Sequence, residues 1–514
     1  MKSLKESFFI LFLFLLLPVF FSCTTASKEI EPDELPSPSL LSMRILGSQN
    51  SLSIIRDAEC EIIGDSIVCC WIPYLVKDKF FFVDIKAEGA VFLDNQRYDA
   101  KQSYDFSKPV ELRLETIKGT KIYSIYIHTF TGLPVVWVET EGRAAITSKT
   151  EYIKGHFKLV EDVVTRSPGD IIESDISIKG RGNHTWDVEA KKPYKIKFSN
   201  KISLLGEPAD KTWLLLANHY DKTMLRNKLV FSMGSMSNLE YTPRSHFVEL
   251  MLNGRYEGTY QLTENLKIAE NRSHGILLEV DRYATREDDA RYFTTDYLDF
   301  PVNIKDPDVE YGDETYNAVK EFFLKAEDAL FSDNFRDLNE GWQKYIDIDT
   351  VVDWYIITEL AKDAECIYML CHMTWEPGGK LKMGPLWDYD MSFGNYYSPS
   401  YEGCQNPAGF YLKNSHWFSR FFEDENFLLA LKKRYEYFYS NKDCILNEVN
   451  EDANYLRYSA TENNNRWNVF YHPDPDYPRD YDIWGSYENE VQSLKCWLGL
   501  RMDWMREALS EIEI

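Results

Sequence analysis

The run Lys382-Met-Gly-Pro-Leu-Trp-Asp388-Tyr-Asp390-Met-Ser-Phe-Gly394 ends a strand-like stretch in two carboxylates spaced i, i+2. Hard oxygen donors at a strand end suit Mg²⁺ or Mn²⁺, since magnesium commonly takes one or two protein carboxylates together with waters and phosphate oxygens. The same acids also fit a capped turn that bonds local backbone. A second run, Lys179-Gly-Arg-Gly-Asn-His-Thr-Trp186, sets Gly180 and Gly182 between two strand-like segments, with Arg181, Lys191, Lys192 and Lys195 nearby. Glycines let backbone N–H groups approach an anion and the cations would balance it, although a tight turn also uses glycine. A third run, Lys362-Asp363-Ala-Glu365, follows a helical pattern. A hairpin turned at Gly378-Gly379 would bring Asp363 or Glu365 back toward Asp388, so that a base and a metal carboxylate share one cleft.

These residues need elements to position them. From about Arg44 to Thr140 apolar residues recur with period two, and Lys118-Gly119-Thr120 separates two alternating runs as a hairpin turn. The pattern predicts a small immunoglobulin-like β-sandwich over 44–140, a spacer or docking module. Between 150 and 300 short strands alternate with turns, and Asn253-Gly254 joins two of them with a strong hairpin signal. One helix is expected over 222–233, where Leu225, Leu229, Val230 and Met233 share a face. Helical periods then cover 316–331, 346–362, 417–441 and 488–512, with a strand-rich island at 367–387. A β-rich half followed by a helix-rich half is an α+β arrangement of two lobes with a cleft between them.

The 514 residues are 44% hydrophobic and 27% charged, which excludes a disordered or fibrous chain. A formal charge of −25 repels nucleic acid and anionic lipid. Lys2 and Lys5, the apolar run Phe8 to Phe21, and Ser22 before Cys23 form an export signal over 1–22, with Cys23 as a lipidation site. Residues 23–43, polar and rich in proline, read as a flexible linker, so the expected protein sits in the cell envelope on a lipid anchor. The scattered Cys and His give no zinc spacing, while the region of Cys60 and Cys69 or Cys70 could hold a disulfide. The many aromatics fall at core spacing, and the acidic stretch Tyr471 to Tyr487 reads as a solvated loop.

Five motifs occur in order: Gly180 to Trp186, Lys191 to Phe198, Trp213 to Asn227, Asn253 to Glu264, and Gly384 to Gly394. Together they resemble the spore coat protein H (CotH) family of atypical protein kinases over about 145–512, with an N-lobe to about 300 and a helical C-lobe beyond. The resemblance implies a two-lobed kinase-like fold, ATP with Mg²⁺ or Mn²⁺ in the cleft, and transfer of the γ-phosphoryl group to Ser or Thr of an exported or surface protein. It implies Asp388 as metal ligand with Asp390 beside it, Lys192 or Lys195 on the phosphates, and Gly180, Arg181 and Gly182 at the nucleotide. Glu264 would lie near the lobe junction, and Arg226 with Asn227 would brace the cleft. One departure stands out, because family members commonly carry Asn-x-Asp where this chain has Asp363-Ala364-Glu365. The extra methylene displaces the carboxylate by about an ångström, a misplacement worth on the order of a hundredfold in rate. Either Glu365 is accommodated, or Asp363 takes the role, or the protein binds nucleotide without efficient transfer. The other expectations are a non-catalytic surface-assembly factor and a glycan-binding adhesin.

Overall fold

The computed structural model describes residues 36–51, 54, 57–74, 76, 79–161, 171–286, 290–298, 300–363, 371–395, 403–470 and 485–514. The export segment with Cys23, the residue Glu365 and most of the acidic stretch after Tyr471 lie outside the described residues. The chain forms two compact units, one drawn from residues up to Tyr126 and the other from Ile127 to Ile514 with two short earlier segments.

The amino-terminal strands are β1 (Ser39–Ile45), β2 (Ala58–Ile63), β3 (Ile67–Pro73), β4 (Phe80–Phe81), β5 (Asp84–Glu88), β6 (Ala90–Leu93), β7 (Gln96–Arg97), β8 (Tyr104–Asp105), β9 (Val110–Thr116) and β10 (Gly119–Phe130). Eight of them join in one hydrogen-bonded order, β5-β1-β2-β3-β10-β9-β6-β7, and β4 pairs with β8. Period-two alternation buries Val110, Leu112 and Leu114 and turns Glu111 and Arg113 outward. Cys60 and Cys70 are disulfide-bonded.

The second unit opens with a closed barrel of β11 (Val135–Thr140), β12 (Ile153–Val160), β13 (Ile171–Gly180), β14 (Tyr194–Ile202), β15 (Asp210–Leu216), β16 (Ser245–Leu252) and β17 (Arg255–Glu264). Sequence alternation assigned β11 to the preceding sandwich. Instead it pairs antiparallel with β12 and parallel with β16, closing the seam, and its Val136 and Val138 enter the barrel core with Phe157, Ile178, Ile196 and Trp213. Closure leaves no strand edge exposed. The Asn253-Gly254 turn forms as expected, with φ of 51° and 81°, and the Asn253 Oδ1 accepts from the Thr140 N–H at 2.8 Å.

A five-stranded sheet follows in the order β19-β20-β18-β21-β22, from β18 (Ile276–Val280), β19 (Tyr292–Phe293), β20 (Val302–Asp306), β21 (Cys371–Trp375) and β22 (Lys382–Met383). The expected division near residue 300 therefore moves earlier, because β18 bonds to β21 and shares a core with the helices rather than with the barrel. The helices are α1 (His184–Val188), α2 (Arg226–Ser235), α3 (Glu314–Phe331), α4 (Ile348–Ala361), α5 (His416–Phe421), α6 (Glu425–Ser440), α7 (Lys442–Trp467) and α8 (Tyr487–Glu511). Asp313, Asp347 and Ser486 cap α3, α4 and α8 by accepting from backbone N–H groups. Asp424 does the same for α6, which splits the single helix expected over 417–441. Helix α2 is inserted between barrel strands, yet Leu225 just before it and its Leu229, Val230 and Met233 pack in the helical core.

Helix α7, which the sequence reading did not place, ties the barrel to the helices. The buried Lys191 ammonium donates to Thr259 O at 2.5 Å and to Asn463 Oδ1 at 2.9 Å, and the Thr259 N–H also donates to Asn463 Oδ1. Arg466 and Trp467 donate to the carbonyls of Tyr256 and Glu257. Such close docking requires Gly258, where φ is +92° and an added Cβ would sit 2.4 Å from Asn463 Oδ1. Gly258→Ala should therefore lower stability by about 2–4 kcal/mol in denaturant titration; a loss below 0.5 kcal/mol, typical of surface sites, would show that the helix is not held there.

Candidate active site

Strands β13 and β14 put Ile178 and Ile196 inside the barrel and turn Lys179, Arg181, Lys195 and Lys197 outward, with Lys179 opposite Lys195 in register. The glycine loop works differently from the anion cradle expected of it. An added Cβ on Gly180 would lie 2.3 Å from the Trp186 ring, so this glycine makes room for the tryptophan that α1 tucks into the core. The Gly180 and Arg181 N–H groups are already donated to Ser148 O and Pro193 O. Gly182, at φ +79°, serves the turn. What remains for an anion here is side-chain charge.

The lysines separate clearly. Lys192 Nζ donates to Trp186 O at 2.5 Å, a local structural bond within the turn. Lys195 is half-buried and, among the described residues, has no hydrogen-bond or ion-pair partner. Burial, with the like charges of Lys179, Arg181, Lys197 and Lys305, brings its pKa down to about 8. The Arg181 guanidinium lies 5.7 Å from the centre of the Trp387 ring. Burial lowers its pKa, and the charges of Asp388 and Asp390 oppose that shift. The basic turn and the acidic run thus meet.

Asp388 adopts the left-handed region at φ 67°, and the loop around it is held from two sides. The Tyr389 N–H donates to Asn227 Oδ1 at 2.7 Å, Arg226 Nε donates to Ser392 O at 2.9 Å, and the Phe393 N–H donates to Ala361 O at 2.6 Å. The start of α2 and the end of α4 therefore fix the acids. Arg226 is only 3% exposed and its guanidinium is committed to Ser392 and Asp221, so it braces the loop. Glu264 is likewise committed. It is fully buried and its oxygens accept from Tyr241, Arg244 and Arg272, so it is a structural acid.

Burial raises the Asp388 pKa, Arg181 and His372 oppose that rise, and Glu279 adds to it. Glu279 and His372 face each other across β18 and β21, with His372 Nε2 3.4 Å from Glu279 Oε1, while Lys305 Nζ lies 2.9 Å from Glu279 Oε2. Burial works against ionising Glu279, but the His372 bond and charge together with Lys305 hold its pKa at about 2. No motif pointed to these three, because their significance lies in strand pairing between distant segments. Asp363 follows a left-handed Lys362 at the end of α4 and is 1% exposed, and its charge bears on the Cys404 thiol. Lys362 Nζ itself donates to the carbonyls of Gly403, Asn406 and Ala408.

Cations on a barrel face, set against a braced pair of acids in a mixed α and β domain, are the equipment of a protein that handles phosphate and a divalent ion. The family model described as CotH kinase protein matches residues 178–505. The chain belongs to the CotH family, and membership of a kinase family implies use of ATP and a divalent metal in general. No curated protein matches the chain.

Lys195 carries a stability cost that can be measured. Its folded pKa lies below its unfolded value, so the unfolded chain binds the extra proton and stability rises with pH between about 8 and 10.5 from this group. Lys195→Met should raise stability at pH 7 by about 1–2 kcal/mol after allowance for solvent screening, and the gain should vanish above pH 10.5. A lower melting temperature at pH 7 would contradict this placement.

Proposed function

We propose that this protein is an extracytoplasmic, lipid-anchored protein kinase that transfers the ATP γ-phosphoryl group to Ser or Thr hydroxyls of exported or surface proteins. The observation that carries the reading is the approach of Arg181 to Asp388 and Asp390, with Lys195, which has no side-chain partner among the described residues, close enough to Arg181 to feel its charge. These donor types fit the group: a lysine among like charges suits a polyphosphate, and a carboxylate whose burial disfavours its charge suits a cation beside it.

In this reading Lys195 and Arg181 bind phosphate oxygens and Asp388, with Asp390, holds the metal. A bound Mg²⁺ or Mn²⁺ would neutralise charge on the phosphates. The chain's own part is positioning. Arg226 and Asn227 keep the acidic loop in register with the cations, and α7 keeps the barrel and helices in fixed relation, which is where most catalysis of phosphoryl transfer arises. The barrel would serve as the N-lobe of a kinase-like layout, the following sheet, packed with the helices, as the cleft floor, and the immunoglobulin-like module as a spacer from the Cys23 anchor.

A weaker-turnover reading has one observation in its favour. Asp363, at 1% exposure, is poorly placed to take a proton from an incoming hydroxyl, which leaves that role to the longer Glu365. With radiolabelled ATP and Mn²⁺ or Mg²⁺, Asp388→Ala and Lys195→Ala should each lose at least about a hundredfold in label transfer, and Lys192→Ala should lose far less. Glu365→Asp should raise turnover. Equal labelling by wild type and Asp388→Ala would overturn the catalytic assignment.

A further inference from the structure

Strands β13 and β14 send Ile176, Ile178, Ile196 and Phe198 into the barrel core, so Ser177, Lys179, Lys195 and Lys197 lie on its outer face. Across β12 and β13 that outer face is a ladder of cations against acids. Lys158 pairs in register with Glu173 and His156 with Asp175, and each pair closes at 3.2 Å. At the next rung Lys154 faces Ser177, where the ladder would call for a third acid. Ser177 in turn pairs with Lys197 and Lys179 with Lys195, so four lysines from three adjacent strands share one patch. Lys179 Nζ and Lys197 Nζ lie 4.9 Å and 6.0 Å from the centre of the exposed Tyr152 ring, which holds the two ammonium groups together. Among the described residues none of the four lysines has an ion-pair partner.

We propose that this patch is the docking surface for an extended acidic segment of a partner protein. That the partner is the phosphoacceptor rests on the kinase reading above, because β13 runs from Lys179 into Arg181, which that reading gives to phosphate. Side chains two apart on a strand repeat at about 7 Å, as do alternate residues of an extended peptide. Carboxylates at every second position therefore meet Lys195 and Lys197 in step, with Lys179 and Lys154 on the neighbouring strands. Charge selects the partner, since a chain of formal charge −25 holds an anion only where its cations cluster. A flat anionic bilayer on this face would also meet Asp175, whose side chain is 95% exposed on the same ladder. A single peptide strand follows the cations alone.

The test is fluorescence anisotropy of the full chain with a labelled peptide of alternating Asp and Ser, with its Asn and Ser counterpart as control, alongside co-sedimentation with phosphatidylglycerol vesicles. Wild type should bind the acidic peptide, lose affinity as salt rises, and bind neither the control nor the vesicles. The combined variant Lys154→Gln, Lys179→Gln and Lys197→Gln should weaken acidic-peptide binding about tenfold, and Arg at the same three positions should restore it. Mg-ATP affinity should change far less, which shows that the variant is folded. Equal peptide affinity in wild type and the Gln variant would overturn the proposal, as would vesicle or control binding that matches the acidic peptide. With the same peptide as phosphoacceptor, the Gln variant should raise the peptide KM about tenfold and leave kcat unchanged. Label transfer with equal KM in both chains would overturn the docking surface and leave the kinase reading standing. Peptide binding without label transfer would overturn the kinase reading and leave the docking surface standing.

Discussion

Positive charge without an answering anion is the constraint around which the site is organised. Lys195 stands half-buried among Lys179, Arg181, Lys197 and Lys305, in a chain whose formal charge is −25 and which has acids to spare. A buried lysine among like charges is costly, and such strain concentrates where a ligand is bound. The acids whose charge bears on the neighbouring Arg181 are themselves constrained. Asp388 sits in a left-handed backbone inside a loop that Asn227 and Arg226 pin at Tyr389 N–H and Ser392 O, so its carboxylate is held in place.

Keeping that opposition fixed explains several otherwise unrelated features. Helix α2 interrupts the barrel sequence because its apolar face belongs to the helical core while its first residues secure the acidic loop. Helix α7 gives up an apolar contact position to Asn463, whose Oδ1 accepts from Thr259 N–H and the Lys191 ammonium, while the Ser459 carbonyl accepts from the Thr259 hydroxyl. Trp186, seated over Gly180, fixes the turn from which Arg181 projects. Each is a rigid connection between barrel and helices, suited to a reaction whose catalysis is mostly positioning.

Local chemistry was legible in the sequence wherever a short-range rule governs it. The Asn253-Gly254 hairpin and α2, α3, α4 and α8 all follow from turn types, periodicity and spacing. Long-range pairing was not legible. Val135–Thr140 alternates as any strand does, and only its parallel partner β16 reveals that it closes a barrel. Helix α7 escaped notice because polar residues occupy part of its buried face. Gly180 invited an anion-binding reading, although nothing local disclosed that Trp186 would fold onto it. Lys192 and Lys195 are indistinguishable by type, and only the carbonyl of Trp186 separates them. Glu279, His372 and Lys305 could be joined only through strand register.

The most direct measurement is a crystal structure of the full chain with a non-hydrolysable ATP analogue and Mn²⁺, with the metal located by anomalous scattering. The account predicts an anomalous peak in direct coordination with the Asp388 carboxylate and the analogue's phosphates lying against Lys195 and Arg181. Metal and nucleotide bound away from both segments, or Asp388 remaining without metal while the analogue occupies another surface, would contradict it.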